Sequence, residues 1–398
     1  MSKKQINVVW LQTNLRLTDN KPLKEALKEN HSVVLFFCWA DMLFKDTPYS
    51  FPRIGTKRET FLKGVLDNLE RQCIESSYIL HVSYAPHPLE GLRELAKTFD
   101  VQSVFVEEPI QVQERSLLNQ IEPHYEVKRY HENFLIEPED LPFSIYETPE
   151  LFTQFRKRTE KHLDFKTEWR EVEECLDASA GAERMMDYIW KQQAIGTYKE
   201  TRNALEGDYF STQLSPYLAI GSLSPRQVAQ QVKRFESEVL SNSSTYWVIF
   251  ELLWRDFFRY MSLKHGKRLF TKGGIQQTET NLKWHQPTFE KWTTGRLNEP
   301  LIDALMLQLL QTGFMSNRGR QIVANYWCKQ LKQDWRIGAA WFEHCLIDYD
   351  VSSNWGNWQY QAGVGNDRQD RFFNLEKQRR QFDPNNRFIN KYTYRHEA

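Results

Sequence analysis

Five short apolar runs in the first 130 residues, most of them separated by stretches with helical spacing, restrict this chain more than any other feature. They are Ile6–Leu11, Val33–Trp39, Tyr78–Tyr84, Val101–Val106 and Tyr125–Tyr130. Lys21–Glu29, Gly55–Arg71 and Leu89–Lys97 lie between them, and Phe61, Val65 and Leu69 fall four apart. Nearly continuous apolar strands alternating with helices predict a parallel sheet covered on both faces. The expectation is an α/β domain with a doubly wound sheet over residues 1–136. No GxGxxG follows the first run, so the usual dinucleotide fingerprint is missing.

At 398 residues the chain exceeds one ordinary core of about 100–200 residues. From 137 to 185 the pattern loosens, with Pro138, Pro142, Pro149 and the acidic run Glu171–Glu174, which predicts a linker. From 186 to 398 the chain reads as helices, including Thr245–Lys264, Pro300–Thr312, Asn317–Leu331 and Gly338–Leu346. No apolar run approaches the roughly 20 residues of a membrane helix. A cytoplasmic protein without membrane partners is expected. The five cysteines are scattered, with no CxxC, which speaks against a disulfide scaffold, a structural zinc or an iron–sulfur cluster.

Lys plus Arg and Asp plus Glu number 52 each, a zero net charge that by itself argues against a nucleic-acid partner. The halves differ, however. Residues 1–190 hold 24 basic and 32 acidic residues, net −8, and residues 191–398 hold 28 and 20, net +8. An acidic partner would meet the second half. Nine of the 13 tryptophans also crowd between Trp247 and Trp358.

Four stretches could carry chemistry. On the almost wholly apolar run Tyr246–Arg259, Glu251, Trp254 and Arg255 share one face at i, i+3 and i+4. Their charges must be paired or line a cavity, and an internal Glu251–Arg255 pair is the favoured reading of these residues alone. In Gly313–Gln321, Ser316 suits an N-cap, and Arg318 and Arg320 in the first turn oppose the helix dipole unless an anion docks there. A solvated basic turn is the plainer alternative. Asp348–Tyr360 groups acids, amides and aromatics, as a flavin's polar edge would require, although a tight loop of Asx turns would look similar. Ser211–Ser215 precedes a helix beginning near Tyr217 and could cradle phosphates or merely cap.

Taken together, Val9–Asn20, Thr197–Asn203, Tyr246–Arg259, Gly313–Gln321 and Asp348–Asp370 resemble the cryptochrome/photolyase family, most closely its DASH-type cryptochromes. That resemblance implies an α/β antenna domain, a long linker and an all-α domain holding FAD. It implies Tyr198, Ser211, Thr212, Gln213, Leu214 and Ser215 near the pyrophosphate, and Arg255, Arg320, Asp348, Asp350 and Asn354 around flavin and ribose. Asn354 falls where the family places a residue facing flavin N5. Trp358, Trp335 and Trp284 match its electron-transfer chain. Glu251, Trp254, Asn317, Arg318, Gln321 and Tyr360 would contact a cyclobutane pyrimidine dimer, with Arg202 on the DNA backbone.

Gln321 and Tyr360 stand where conventional cyclobutane photolyases carry Met and Trp. The more polar pocket would hold a flipped dimer less strongly, which favours single-stranded DNA. Ser316-Asn317 replaces the histidine pair of (6-4) photolyases. The expected activity is light-driven repair by a monomer; the alternative is a blue-light photoreceptor, against which the lack of a signalling tail after Tyr392 weighs. Methenyltetrahydrofolate is the expected antenna, with Glu107, Glu108 and Glu114 as candidate contacts.

Overall fold

A computed structural model describes residues 3–162, 178–366 and 371–393. The acidic run 171–174, Cys175 and positions 367–370 lie outside the described residues.

The five apolar runs form five parallel strands: β1 (Lys4–Trp10), β2 (Ser32–Ala40), β3 (Ile79–Ala85), β4 (Phe99–Glu107) and β5 (Glu126–Tyr130). Their order is β3-β2-β1-β4-β5, so winding reverses between β1 and β4. Alternate side chains feed two cores. Val8, Phe36 and Val104 pack on one face with Leu92, and Val9, Leu35 and Phe105 on the other with Leu62 and Leu69. Pro88–Thr98 and Thr56–Glu75 are the helices that supply those partners. A further helix, Val112–Ile121, was not evident as a periodic stretch; its ten residues include only Val112, Leu117, Leu118 and Ile121 as apolar anchors. The fold is the expected α/β domain followed by a helical one.

Pro300–Thr312 folds as expected. The Thr245–Lys264 pattern becomes the 23-residue helix Ser243–His265, capped by Asn242, whose side chain accepts from the backbone of Ser244 and Thr245. Asn317–Leu331 is two elements, the helix Asn317–Asn325 and a π-helical turn Tyr326–Gln330. Pattern alone cannot see that change, because both keep their apolar side inward. The expected Gly338–Leu346 helix runs Trp335–Cys345, three residues earlier at its start, and Val351–Ala362 follows it.

In an open α/β sheet the crevice at the winding reversal is the usual ligand site. Here helical-domain side chains close it. Arg259 donates to Glu107 at the end of β4 (2.9 Å), and Thr13, just beyond β1, donates to the other oxygen of Glu107 (2.6 Å). Arg16, 1% exposed, pairs with Glu132 and donates to Asn133 and to the backbone oxygen of Gly221. Gly221 has φ +70°, and a Cβ there would lie 1.7 Å from the Thr13 carbonyl, so only glycine fits. From the long helix, Asp256 accepts the backbone N–H groups of Leu135 and Ile136 (3.0 and 2.9 Å). Burial nevertheless lifts its carboxyl to about 6. Any catalytic cavity must therefore lie elsewhere.

Candidate active site

It lies in the helical domain. A cavity of about 550 Å³ is walled by the Ser243–His265 helix, the 211–215 loop, the start of Asn317–Asn325 and the Val351–Ala362 helix. On the long helix the i, i+3, i+4 face opens into it, placing Glu251, Trp254 and Arg255 on one wall. The expected Glu251–Arg255 pair does not form. Arg255 instead donates to the carbonyl oxygens of Asn133 and Leu218, and Glu251 pairs with Arg202. The i+4 spacing permits the first pair, but two carbonyls at the domain junction need a donor. Burial, and then the nearby charge of Arg259, lower Arg255 to about 10. Among the described residues the hydrogen bonds of Arg255 go only to neutral carbonyls, which leaves the guanidinium able to attract an anionic cofactor group.

Ser316 caps the next helix, accepting from Gly319 N (3.1 Å). The two arginines behind it part company. Arg320 donates to both oxygens of Asp348 (2.9 and 2.7 Å) and to the Met315 carbonyl. Arg318 donates to Asn203 and lies over the Phe382 ring, while its Nε finds no acceptor. Burial, then the charge of Arg202, lowers its pKa. The first-turn arginines thus include one satisfied by the protein's own carboxylate and one whose buried Nε has no acceptor among the described residues.

The 211–215 loop turns at Gln213 (φ 54°) into a helix that begins at Ser215, two residues earlier than expected. Ser215 donates to Asp348 (2.6 Å) instead of capping. Asp350 caps the Val351–Ala362 helix by accepting from Ser353 N (2.7 Å), which makes the predicted Asx-type contact and a helix together. Trp254 stacks on Phe152, with centroids 3.7 Å apart. It meets Tyr360 edge-on at 86°, giving two aromatic walls at right angles.

Tyr198, Ser211, Thr212, Gln213, Leu214, Ser215, Arg255, Arg320, Asp348 and Asp350 all line this cavity, together with Arg202, Glu251, Trp254, Asn317, Arg318, Gln321 and Tyr360. Asn354 and Trp358 line a smaller one of about 100 Å³, which shares Arg320, Asp348 and Asp350 with the first. Asn354 donates to Ala339 O (3.0 Å), which fixes its amide. Trp335 is fully buried and donates to Lys272 O; Trp284 is 41% exposed. Trp358 meets the rings of Phe342 and Trp292, Trp335 meets Trp355, and Trp284 meets Tyr49 and Phe289. Sequence reasoning missed Ser353, Asn357 and Arg371 on the cavity wall. Extending the Asp350–Asn354 face by one turn would have found Asn357; no spacing signals Arg371.

With this geometry in place, the comparisons with known proteins are specific. Residues 7–175 match the family described as DNA photolyase, and residues 247–395 the family described as FAD binding domain of DNA photolyase. Over 96% of its length the chain is 40% identical to 86% of Cryptochrome DASH from Synechocystis sp.. Over 97% it is 36% identical to 75% of the chloroplastic/mitochondrial Cryptochrome DASH of Arabidopsis thaliana. The solved Synechocystis cryptochrome superimposes with a TM-score of 0.90 at 38% identity, covering 98% of this chain and 89% of that one. A class III photolyase from Agrobacterium tumefaciens shares the fold, with a TM-score of 0.81 at 24% identity over 100% of this chain and 88% of that one. Cavity, FAD-binding segment and full-length similarity agree: the chain belongs to the cryptochrome/photolyase family, among its DASH-type members.

Proposed function

We propose that this protein repairs cyclobutane pyrimidine dimers under blue light, chiefly in single-stranded DNA. The observation that carries the reading is that one cavity is lined by two chemistries. Ser211–Ser215, Arg255, Arg320 and Asp348 offer hydroxyls, backbone and charge for FAD. Glu251, Asn317, Gln321 and the crossed rings of Trp254 and Tyr360 offer polar and aromatic contacts for two linked bases. The cavity's volume falls within the roughly 300–1,000 Å³ of cofactor pockets. The chemistry supplied by bound, reduced FAD is light-driven transfer of one electron to the dimer and its return after ring opening.

The protein's own groups do the rest. Trp254 and Tyr360 hold the flipped bases and exclude water, Glu251 hydrogen-bonds the base edge, and Arg202 and Arg318 take backbone phosphate. Asn354, whose amide nitrogen is held by Ala339, would hydrogen-bond the flavin and support its reduced form. Trp284, Trp335 and Trp358 carry electrons inward to the flavin, from an exposed ring through the core to a cavity wall. Single-strand preference is supported by Gln321 and Tyr360, which make the cavity polar and limit what binding can offset when duplex must be opened.

The working unit is proposed to be a cytoplasmic monomer, with 1–136 as antenna domain, 137–185 as linker and 186–398 as FAD and DNA domain. Methenyltetrahydrofolate is the proposed antenna. Of its candidate contacts, Glu107 is engaged by Arg259 and Thr13, and Glu114 by the backbone N–H of Gln111. Glu108 also has partners, Arg129 (3.5 Å) and Arg115 (3.7 Å), but it lines a cavity of about 320 Å³ with Lys21, Arg129 and His131, and so carries this proposal. A photoreceptor role without repair is the second reading, because the relatives are named cryptochromes.

The two readings separate on illumination of reduced, FAD-loaded protein with a dimer-containing single-stranded oligonucleotide. Thymine recovery well above the dark control is expected, and its absence would favour the photoreceptor. Glu251→Ala should slow recovery about tenfold or more with FAD retained, the order expected for a lost hydrogen bond to a charged or radical species.

A further inference from the structure

Glu251 is the acid of the cavity wall, yet in the free protein its partner is a cation from another element. Arg202, at the end of the short helix Tyr198–Thr201, pairs with it through Nη1. The Arg202 guanidinium lies 4.7 Å over the ring of Trp247, one turn before Glu251 on the long helix. Lys199 lies over the same ring at 5.7 Å. The Trp247 face thus holds Arg202 within reach of the carboxylate. Arg202 is 18% and Glu251 31% exposed at the side chain, so the pair sits at the cavity mouth, where a strand of DNA would arrive.

We propose that Arg202 is a positioning residue that exchanges partners: it holds Glu251 ionised in the free protein, and on binding it turns to a DNA phosphate, so that Glu251 takes up a proton from solvent and donates it in a hydrogen bond to a base carbonyl. This rests on the reading of the cavity as a DNA site.

The charges around Glu251 decide the direction. Burial raises its pKa and Arg202 is the only opposing influence of note. Tyr198, whose own pKa is raised partly by the Glu251 charge, adjoins it from the Arg202 side. Arg318 and Arg371 reach the cavity from other elements, and Arg255 lies one turn on along the same helix. Arg320, Asp348 and Asp350 also line the cavity, where Arg320 and Asp348 satisfy each other and Asp350 lies 3.9 Å from Arg259 of the long helix. Phosphate entry compensates Arg202 and Arg318, and a base covers the mouth. Both changes remove support for a carboxylate and leave its desolvation, so the neutral acid is favoured. A neutral carboxyl also suits its partner, because a carbonyl oxygen needs a donor and an ionised carboxylate has none.

Calorimetric titration of the FAD-loaded protein with a single-stranded oligonucleotide carrying one thymine dimer tests this, near pH 7 in PIPES and in Tris. The dependence of heat on buffer ionisation enthalpy should give uptake of about one proton per complex. Glu251→Gln, checked for retained FAD absorbance, should bind with uptake near zero. Arg202→Ala should reduce uptake, since the one charge that favours ionised Glu251 is gone, and Arg202→Lys should restore it. Selective binding of the damaged strand with no buffer-dependent heat overturns the exchange and leaves the DNA site standing. Uptake that persists in Glu251→Gln assigns the proton elsewhere and also overturns it. Equal binding of damaged and undamaged strands, or none, overturns the reading of the site itself.

Discussion

Gly338 is where the Trp335–Cys345 helix touches the Trp358 ring. A Cβ at this position would fall 2.3 Å from Cη2 of that indole, so one methyl cannot be added without moving the ring. Gly338→Ala should cost about 1–3 kcal/mol, the usual range for overpacking, and should change the near-ultraviolet circular dichroism of the tryptophans. Trp335→Phe poses a different question. It removes an indole that donates to Lys272 O (2.9 Å) and should impair photoreduction of oxidised flavin, while prereduced protein repairs at near the original rate. Equal losses in both assays would place Trp335 outside the electron path. Most of the residues singled out from sequence do gather in the cavity, because each was read within a local motif. The Arg320–Asp348 pair implied by the family resemblance forms. The pair inferred from helical spacing alone failed: Glu251 and Arg255 lie at ideal spacing yet serve partners far away in sequence, Arg202 and the carbonyls of Asn133 and Leu218. Spacing describes what one helix allows, and partner choice belongs to the assembled interior.

The Val112–Ile121 helix illustrates how an element can hide in sequence and still have measurable properties. Its Glu114 accepts from the backbone N–H of Gln111 at the helix start, and burial, reinforced by the charge of Glu107, lifts its carboxyl to about 7. A folded-state pKa above the unfolded value means that the native protein binds the extra proton. The resulting stabilisation is complete below about pH 4.5 and is lost as pH rises towards 7. Glu114→Gln retains an oxygen for the cap and abolishes the titration. Relative to the variant, the parent should lose about 2 kcal/mol between pH 5 and 8, readable as unfolding midpoints in urea at several pH values. A constant difference across that range would show that Glu114 does not titrate there. Other elements were plain in sequence because burial on both faces leaves β2 nearly continuous in apolar residues and β1 and β4 mostly apolar in their buried parts. The π-helical turn Tyr326–Gln330 was not, since periodicity reports which side faces inward and not how the backbone is hydrogen-bonded.

At the level of the whole molecule, the zero net charge conceals a division that the fold makes useful, with −8 on the sheet-bearing half and +8 on the half bearing the cavity. Binding of a polyanion depends on the local surface and not on the sum. Arg318, whose side chain lines the cavity, is a phosphate donor under the proposed function. Arg318→Ala should weaken binding of single strands of any sequence and lower the slope of log affinity against log salt by about 0.7, the share of one phosphate contact. An unchanged slope would remove Arg318 from the backbone contacts. The junction between the two halves was illegible in advance, since Arg16, Glu132, Gly221 and Asp256 carry no motif that joins them.

That junction also decides what kind of unit the sheet is. With Arg259 seated on Glu107, Arg16 on Gly221, and Asp256 holding the backbone of Leu135 and Ile136, separation would strand buried charges on both sides. The sheet is thus not an interchangeable module: a chimera built by exchanging it with a relative's must inherit both faces of the seam together, and inheritance of the two halves is bound to be joint.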